Sequence, residues 1–235
     1  MYHSILLLQS ITIPVYQQQE AVWWFIPIIA YAALAGGGAA LAVGTLIDWF
    51  CGEPEPEKGK TIAVLGMKGA GKTQFLANIR NKDYKDYAAT IGEEDYEKFN
   101  IVLGNRVVSI EGGKDIGGGE ELILDYYEDM INSNEIVFFL FNAHDYLNKD
   151  NYRKQTQSRL EFVNRHSLES KCTVNVFATF ADMFSNDDER NKAYSSIKNS
   201  VMGKDYSRLF IPSRFFMLNM RNKKVLMEKL GKIFS

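Results

Sequence analysis

The stretch "GMKGAGKT", residues 66 to 73, constrains the fold of this chain more than any other. It fits GxxxxGK[ST], in which a glycine-rich turn aims successive backbone N–H groups at phosphate oxygens. On that reading Gly66, Met67, Lys68, Gly69, Ala70 and Gly71 form the cradle, Lys72 reaches the outer phosphates and Thr73 reaches Mg²⁺. The same pattern also serves as an ordinary glycine turn capping a helix. Context separates the two, because a phosphate loop follows a strand and opens a helix. Here "TIAVL" (61–65) is β-branched and apolar, and Phe75, Leu76 and Ile79 recur at helical spacing.

Beyond residue 61 apolar runs alternate with helical patterns. Strands are expected at 61–66, 98–104, 106–110, 135–141, 174–180 and 214–219, and helices at 72–80, 119–132, 152–167, 186–201 and 222–234. "GN" at 104–105 joins the second and third strands as a tight hairpin, while the other connections need helical crossovers. The fold class expected is therefore α/β: a P-loop three-layer sandwich around a mostly parallel six-stranded sheet with one antiparallel strand. Ligands of such sheets bind at the carboxyl ends of the strands, so chemical residues should follow strands.

They do so in order. Thr90, in "ATIG", can complete a metal and γ-phosphate shell, although a lone loop threonine is usually only solvated. In "DIGGG" (115–119) Asp115 can hold Mg²⁺ directly or through water, and Gly118 can bring its N–H to a γ-phosphate because no side chain blocks it. Glu111 is a rival for the metal, since Asp115 stands well past the apolar strand end at Ile110, across "EGGK". In "TFAD" (179–182) Thr179 and Asp182 are read as nucleotide contacts, and Asp182 can accept from the N1–H and N2–H₂ edge of guanine, an edge that adenine lacks.

With these four motifs in sequence, residues 61–235 resemble a Ras-like small GTPase domain, nearest to the ADP-ribosylation-factor type. "LGMKGAGKT" is similar to that group's P-loop, "TIG" to its first switch, "DIGGGEE" to its DxGG switch and "TFAD" to its [NT]KxD guanine motif. The resemblance implies GTP or GDP with Mg²⁺: Lys72 on the phosphates, Thr73 and Thr90 on the metal, Asp115 in its outer shell, Asp182 on the base. Lys72, Thr90 and Gly118 would then act on the γ-phosphate. Three departures stand out. Gly119 occupies the place of the glutamine that orients water, Phe180 replaces the lysine of the guanine motif, and "NMRN" (219–222) has no clear match to the last guanine motif, SAK.

The first sixty residues belong to a different solvent. No charged residue occurs from Val22 to Ile47, a run that as a helix would extend about 39 Å against a hydrocarbon core of about 30 Å. Trp23, Trp24 and Trp49 sit at its two ends, where indole rings favour the membrane interface. The competing reading, a cleaved signal peptide, lacks any basic residue ahead of the apolar region. All 27 Lys and Arg lie at or beyond Lys58, which places the C-terminal domain on the cytoplasmic side of a single-pass membrane protein. The organisation expected is a non-cytoplasmic segment at 1–21, a transmembrane helix at 22–47, a linker at 48–60 rich in Pro and Glu, and the nucleotide-binding domain at 61–235. This layout is similar to that of β subunits of the signal recognition particle receptor.

Charge and cysteines exclude other classes. Five of the 29 acids precede Lys58, so the rest of the chain is only weakly basic, too weakly for a nucleic-acid partner to be proposed. Two cysteines, with no CxxC, make a disulfide framework and a zinc site poor readings. The function expected is a membrane-anchored GTP/GDP switch with slow GTP hydrolysis, working with a protein effector or activating partner of unknown identity. A non-hydrolysing nucleotide-dependent docking module and an ATP-specific P-loop protein remain as alternatives.

Overall fold

The computed structural model describes residues 57–82, 93–116 and 123–235. The segment 1–21, the apolar run 22–47, most of the 48–60 linker, Thr90, Gly118 and Gly119 lie outside these described residues. Among the described residues no helix is long and apolar enough to cross a membrane.

Three apolar runs make the centre. β1 (Glu57–Lys60) and β2 (Ile62–Gly66) are separated only by Thr61. β5 (Arg106–Ile110) pairs in parallel with β1, and β7 (Ile136–Asn142) pairs in parallel with β2. The run 57–66 thus changes partner at Thr61: Lys60 O accepts from Glu111 N–H at 2.9 Å on one side, and Thr61 O from Ile136 N–H at 3.2 Å on the other. β8 (Thr173–Thr179) and β9 (Phe215–Met217) continue the parallel array beyond β7. β4 (Phe99–Leu103) returns antiparallel to β5 through Gly104, whose φ of +67° suits the tight turn. The order is therefore β4, β5, the β1–β2 run, β7, β8, β9. This is an α/β fold with a mostly parallel sheet, and β2 and β7 are buried on both faces as central parallel strands require.

Two differences from the sequence reading have local causes. Residues 57–60, read as the end of the linker, form β1, because the edge of β5 offers them a ladder that their charged side chains do not announce. The hairpin also runs further than its apolar pattern. β3 (Glu93–Tyr96) pairs antiparallel with β6 (Gly113–Ile116), so "EGGK" is not a simple insertion and Asp115 lies on a strand opposite Glu94. The interruption falls at Gly112, where a Cβ would lie 2.9 Å from Tyr96 O.

Helices cover both faces. α1 (Lys72–Ile79) lays Phe75 against Phe138 of β7 and Phe177 of β8, with ring centroids 5.0 and 5.7 Å apart. α6 (Lys223–Ile233) ends on the same layer, with Phe234 6.3 Å from Phe138. Phe141, of opposite parity on β7, packs on Tyr146 of α3 (Ala143–Asn148) at 5.1 Å. α3 therefore lies on the other face, where it meets α4 (Asp150–Ser170) and α5 (Asp187–Ser200). α2 (Ile123–Ser133) packs on α4 there. α3 escapes a reading of periodicity because it is short; Asn142 caps it by accepting from Asp145 N–H at 3.1 Å.

Candidate nucleotide site

The loop from Gly66 to Gly71 leaves β2 and enters α1 with three glycines at positive φ: +138° at Gly66, +70° at Gly69 and +82° at Gly71. Those angles are open to glycine and costly for other residues, which accounts for the spacing seen in sequence. The loop is tied down from three sides. Met67 N–H donates to Leu140 O at 2.9 Å, Ala70 N–H donates to Met67 O at 3.2 Å, and the Thr179 hydroxyl donates to Ala70 O at 2.9 Å.

Lys72 is folded onto this loop. Its Nζ donates to Gly66 O at 3.3 Å and to Met67 O at 3.2 Å, and only 8% of the residue is exposed. Gly71 is the N-cap of α1; no side chain caps the helix and no acid occupies its first turn. Among the described residues a Cβ on Gly69 would meet nothing within 4 Å, so they leave the space above the turn open. An uncapped helix N-terminus, a flexible cation and open space fit the phosphates of a nucleotide. Lys72 and the backbone of residues 68–73 are the groups that would hold them.

The carboxyl ends of β8 and β9 bring two further loops beside this one. After Thr179 the chain turns through Phe180, at φ +59°, into a 3₁₀ turn at Ala181–Met183. A bulky residue in that region is unusual. Phe180 is half-buried and, among the described residues, is not one of those packed against the core. Asp182 is exposed on the turn. Thr179, in contrast, is fully buried, and its hydroxyl braces the P-loop rather than facing open space.

The loop after β9 lies against both the turn at Ala181 and the start of α1. Ala181 N–H donates to Leu218 O at 3.3 Å, Asn78 of α1 donates to Met220 O at 2.7 Å, and Met220 Cγ lies 3.8 Å from the place of a Gly71 Cβ. Sequence motifs alone gave this loop no role. They also missed Tyr127, whose hydroxyl accepts from Gly66 N–H at 2.9 Å and donates to Gly66 O at 3.1 Å.

For a metal, Thr73 stands at the start of α1 and Asp115 on β6, while Thr90 lies outside the described residues. Among the described residues no three His, Cys, Asp or Glu side chains gather. Mg²⁺ in nucleotide sites takes one or two carboxylates with phosphates and water, so Thr73 and Asp115 are a donor set of the right kind. Glu111, the rival, is engaged elsewhere: its carboxylate pairs with Lys98 at 2.9 Å on the surface.

Together the fold and the loop define a P-loop α/β domain. The chain is similar to a chain in "The Structure of the Mammalian SRP Receptor", with a TM-score of 0.53 and 14% identity, over 74% of this chain and all of that one. No protein-family model matches the sequence, and no curated protein matches it.

Proposed function

We propose that this protein is a membrane-anchored guanine-nucleotide switch that hydrolyses GTP slowly. The observation that carries it is the P-loop: three left-handed glycines, the buried Lys72 and an uncapped α1, with the Asp182 turn and the loop 218–222 beside it. In this reading Lys72 leaves the Gly66 and Met67 carbonyls for the outer phosphates, and the N–H groups at the start of α1 take the remaining phosphate oxygens. Thr73, Asp115 and Thr90 are the residues that would hold Mg²⁺, which would supply charge neutralisation at the phosphates. Asp182 accepts from the guanine edge, and the Phe180 ring covers the base. The finer likeness to ADP-ribosylation factors rests on the "TIG" and "DIGGGEE" motifs.

The test is competition binding with GTP, GDP and ATP. Guanine nucleotides are expected to win, and Asp182→Ala to cost them about ten- to a hundredfold, the loss of charge-assisted hydrogen bonds worth about 1.5–3 kcal/mol. Equal affinity for ATP and GTP in the wild type would favour the ATP-specific alternative. With Gly119 in place of a water-orienting glutamine, single-turnover hydrolysis by the same preparation is expected near or below roughly 10⁻⁴ per second without a partner.

The anchor is supported by the uncharged run from Val22 to Ile47 and by the absence of basic residues before Lys58. The full-length chain is expected to stay in the membrane pellet at alkaline carbonate, with the domain beyond Lys58 cut only when the cytoplasmic face is open to protease. Full release into the supernatant would remove the span from this reading.

A further inference from the structure

Hydrogen bonding on β2 alternates from side to side. Met67 bonds to Leu140 of β7, so the N–H and C=O of the neighbouring Gly66 point to the opposite side, towards β6. On that side two tyrosine hydroxyls stand where a strand partner would. Tyr96 donates to Ile62 O at 3.1 Å, and Tyr127 both accepts from Gly66 N–H and donates to Gly66 O. Tyr127 is buried at 3% exposure and comes from α2, which begins only a few residues after the "DIGGG" run. The Gly66 carbonyl that it holds is also an acceptor of Lys72 Nζ.

We propose that Tyr127 is a positioning residue for Lys72: by keeping Gly66 bonded, it frees the Lys72 ammonium to leave that carbonyl for a phosphate, and it makes the P-loop answer to the placement of α2. This rests on the reading of the loop as a phosphate site. The physical reason is the cost of a bare backbone group. Without the hydroxyl, the buried Gly66 N–H has no partner and the Gly66 carbonyl keeps only Lys72, so moving Lys72 to a ligand strips the carbonyl completely. With the hydroxyl in place the carbonyl stays satisfied and the transfer is easier. Burial raises the pKa of the Tyr127 phenol, with the Arg159 guanidinium opposing, so the hydroxyl retains the proton it must donate at neutral pH.

The test uses the full-length chain in detergent and two matched hydroxyl deletions. Tyr127→Phe is expected to weaken GTP and GDP binding about tenfold. Tyr146→Phe, which removes an equally buried hydroxyl bonded to Ser200 and Gln157, should lower the melting temperature comparably and leave both affinities within about twofold. In a Lys72→Ala background the Tyr127→Phe step should cost less than about threefold, because there is no ammonium left to release. Wild-type affinity in Tyr127→Phe, or the same tenfold loss with and without Lys72, would overturn the proposal while leaving the nucleotide site intact. Failure of the wild type to bind any guanine nucleotide would overturn the site reading and this one with it.

Discussion

Lys72→Ala is expected to lower the affinity for GTP and GDP by about a hundredfold or more while leaving the fold in place. The ammonium is the one cation whose side chain is both buried and bonded to the P-loop backbone in the described site, donating to Gly66 O and Met67 O. Transferred to a phosphate, each such donor makes a charge-assisted bond worth about 1.5–3 kcal/mol, and two of them account for the loss. Both carbonyls keep a second donor, the Tyr127 hydroxyl at Gly66 O and Ala70 N–H at Met67 O, so neither is stripped and the domain should remain folded with a small loss of stability. Calorimetric titration alongside a thermal melt separates the two effects. Unchanged nucleotide affinity would mean that the loop does not use its lysine, and the phosphate site would have to be abandoned.

Gly66→Ala should act in the opposite way, on the fold first. A Cβ at Gly66 would lie 2.0 Å from Leu140 O and 2.7 Å from Leu140 N, and the backbone there holds φ at +138°. Neither clash has a flexible end that can move aside, since Gly66 and Leu140 are register partners in the central β2–β7 pair. Overpacking and backbone strain each cost about 1–3 kcal/mol, and here they act together on a domain whose whole margin is of order 5–15 kcal/mol. Chemical denaturation should show a loss of about 4 kcal/mol or an insoluble product. Gly69→Ala is the control. Among the described residues its Cβ meets nothing and only the φ of +70° is strained, so it should remain folded with a penalty of about 1–2 kcal/mol. Equal behaviour of the two variants would show that the tight approach at Leu140 is not what requires glycine.

The predictions on Asp182 and Tyr127 concern the same loop from its two flanks. Asp182 should change which base is chosen, and Tyr127 how strongly any phosphate is held. A variant set of Lys72, Asp182 and Tyr127 therefore distinguishes loss of charge, loss of base recognition and loss of loop support by their different patterns across GTP, GDP and ATP.

The parts of this protein that short-range chemistry controls were legible in the residues themselves. The four apolar residues that open β2 and the β-branched and aromatic runs of β7 and β8 announce buried parallel strands, and glycines at 66, 69 and 71 announce a turn that needs positive φ. Tertiary structure decided what those elements meet. Tyr127 reaches Gly66 across 61 positions, Thr179 reaches Ala70 across 109, and Asn78 reaches Met220 across 142. None of these pairs has a spacing that a helix or strand period could announce, because each depends on the order of strands in the sheet and on which face a helix covers. Hence Thr179, read from its motif as a nucleotide contact, is turned inward to brace the loop, and a helix tyrosine outside every motif holds the first glycine of the site.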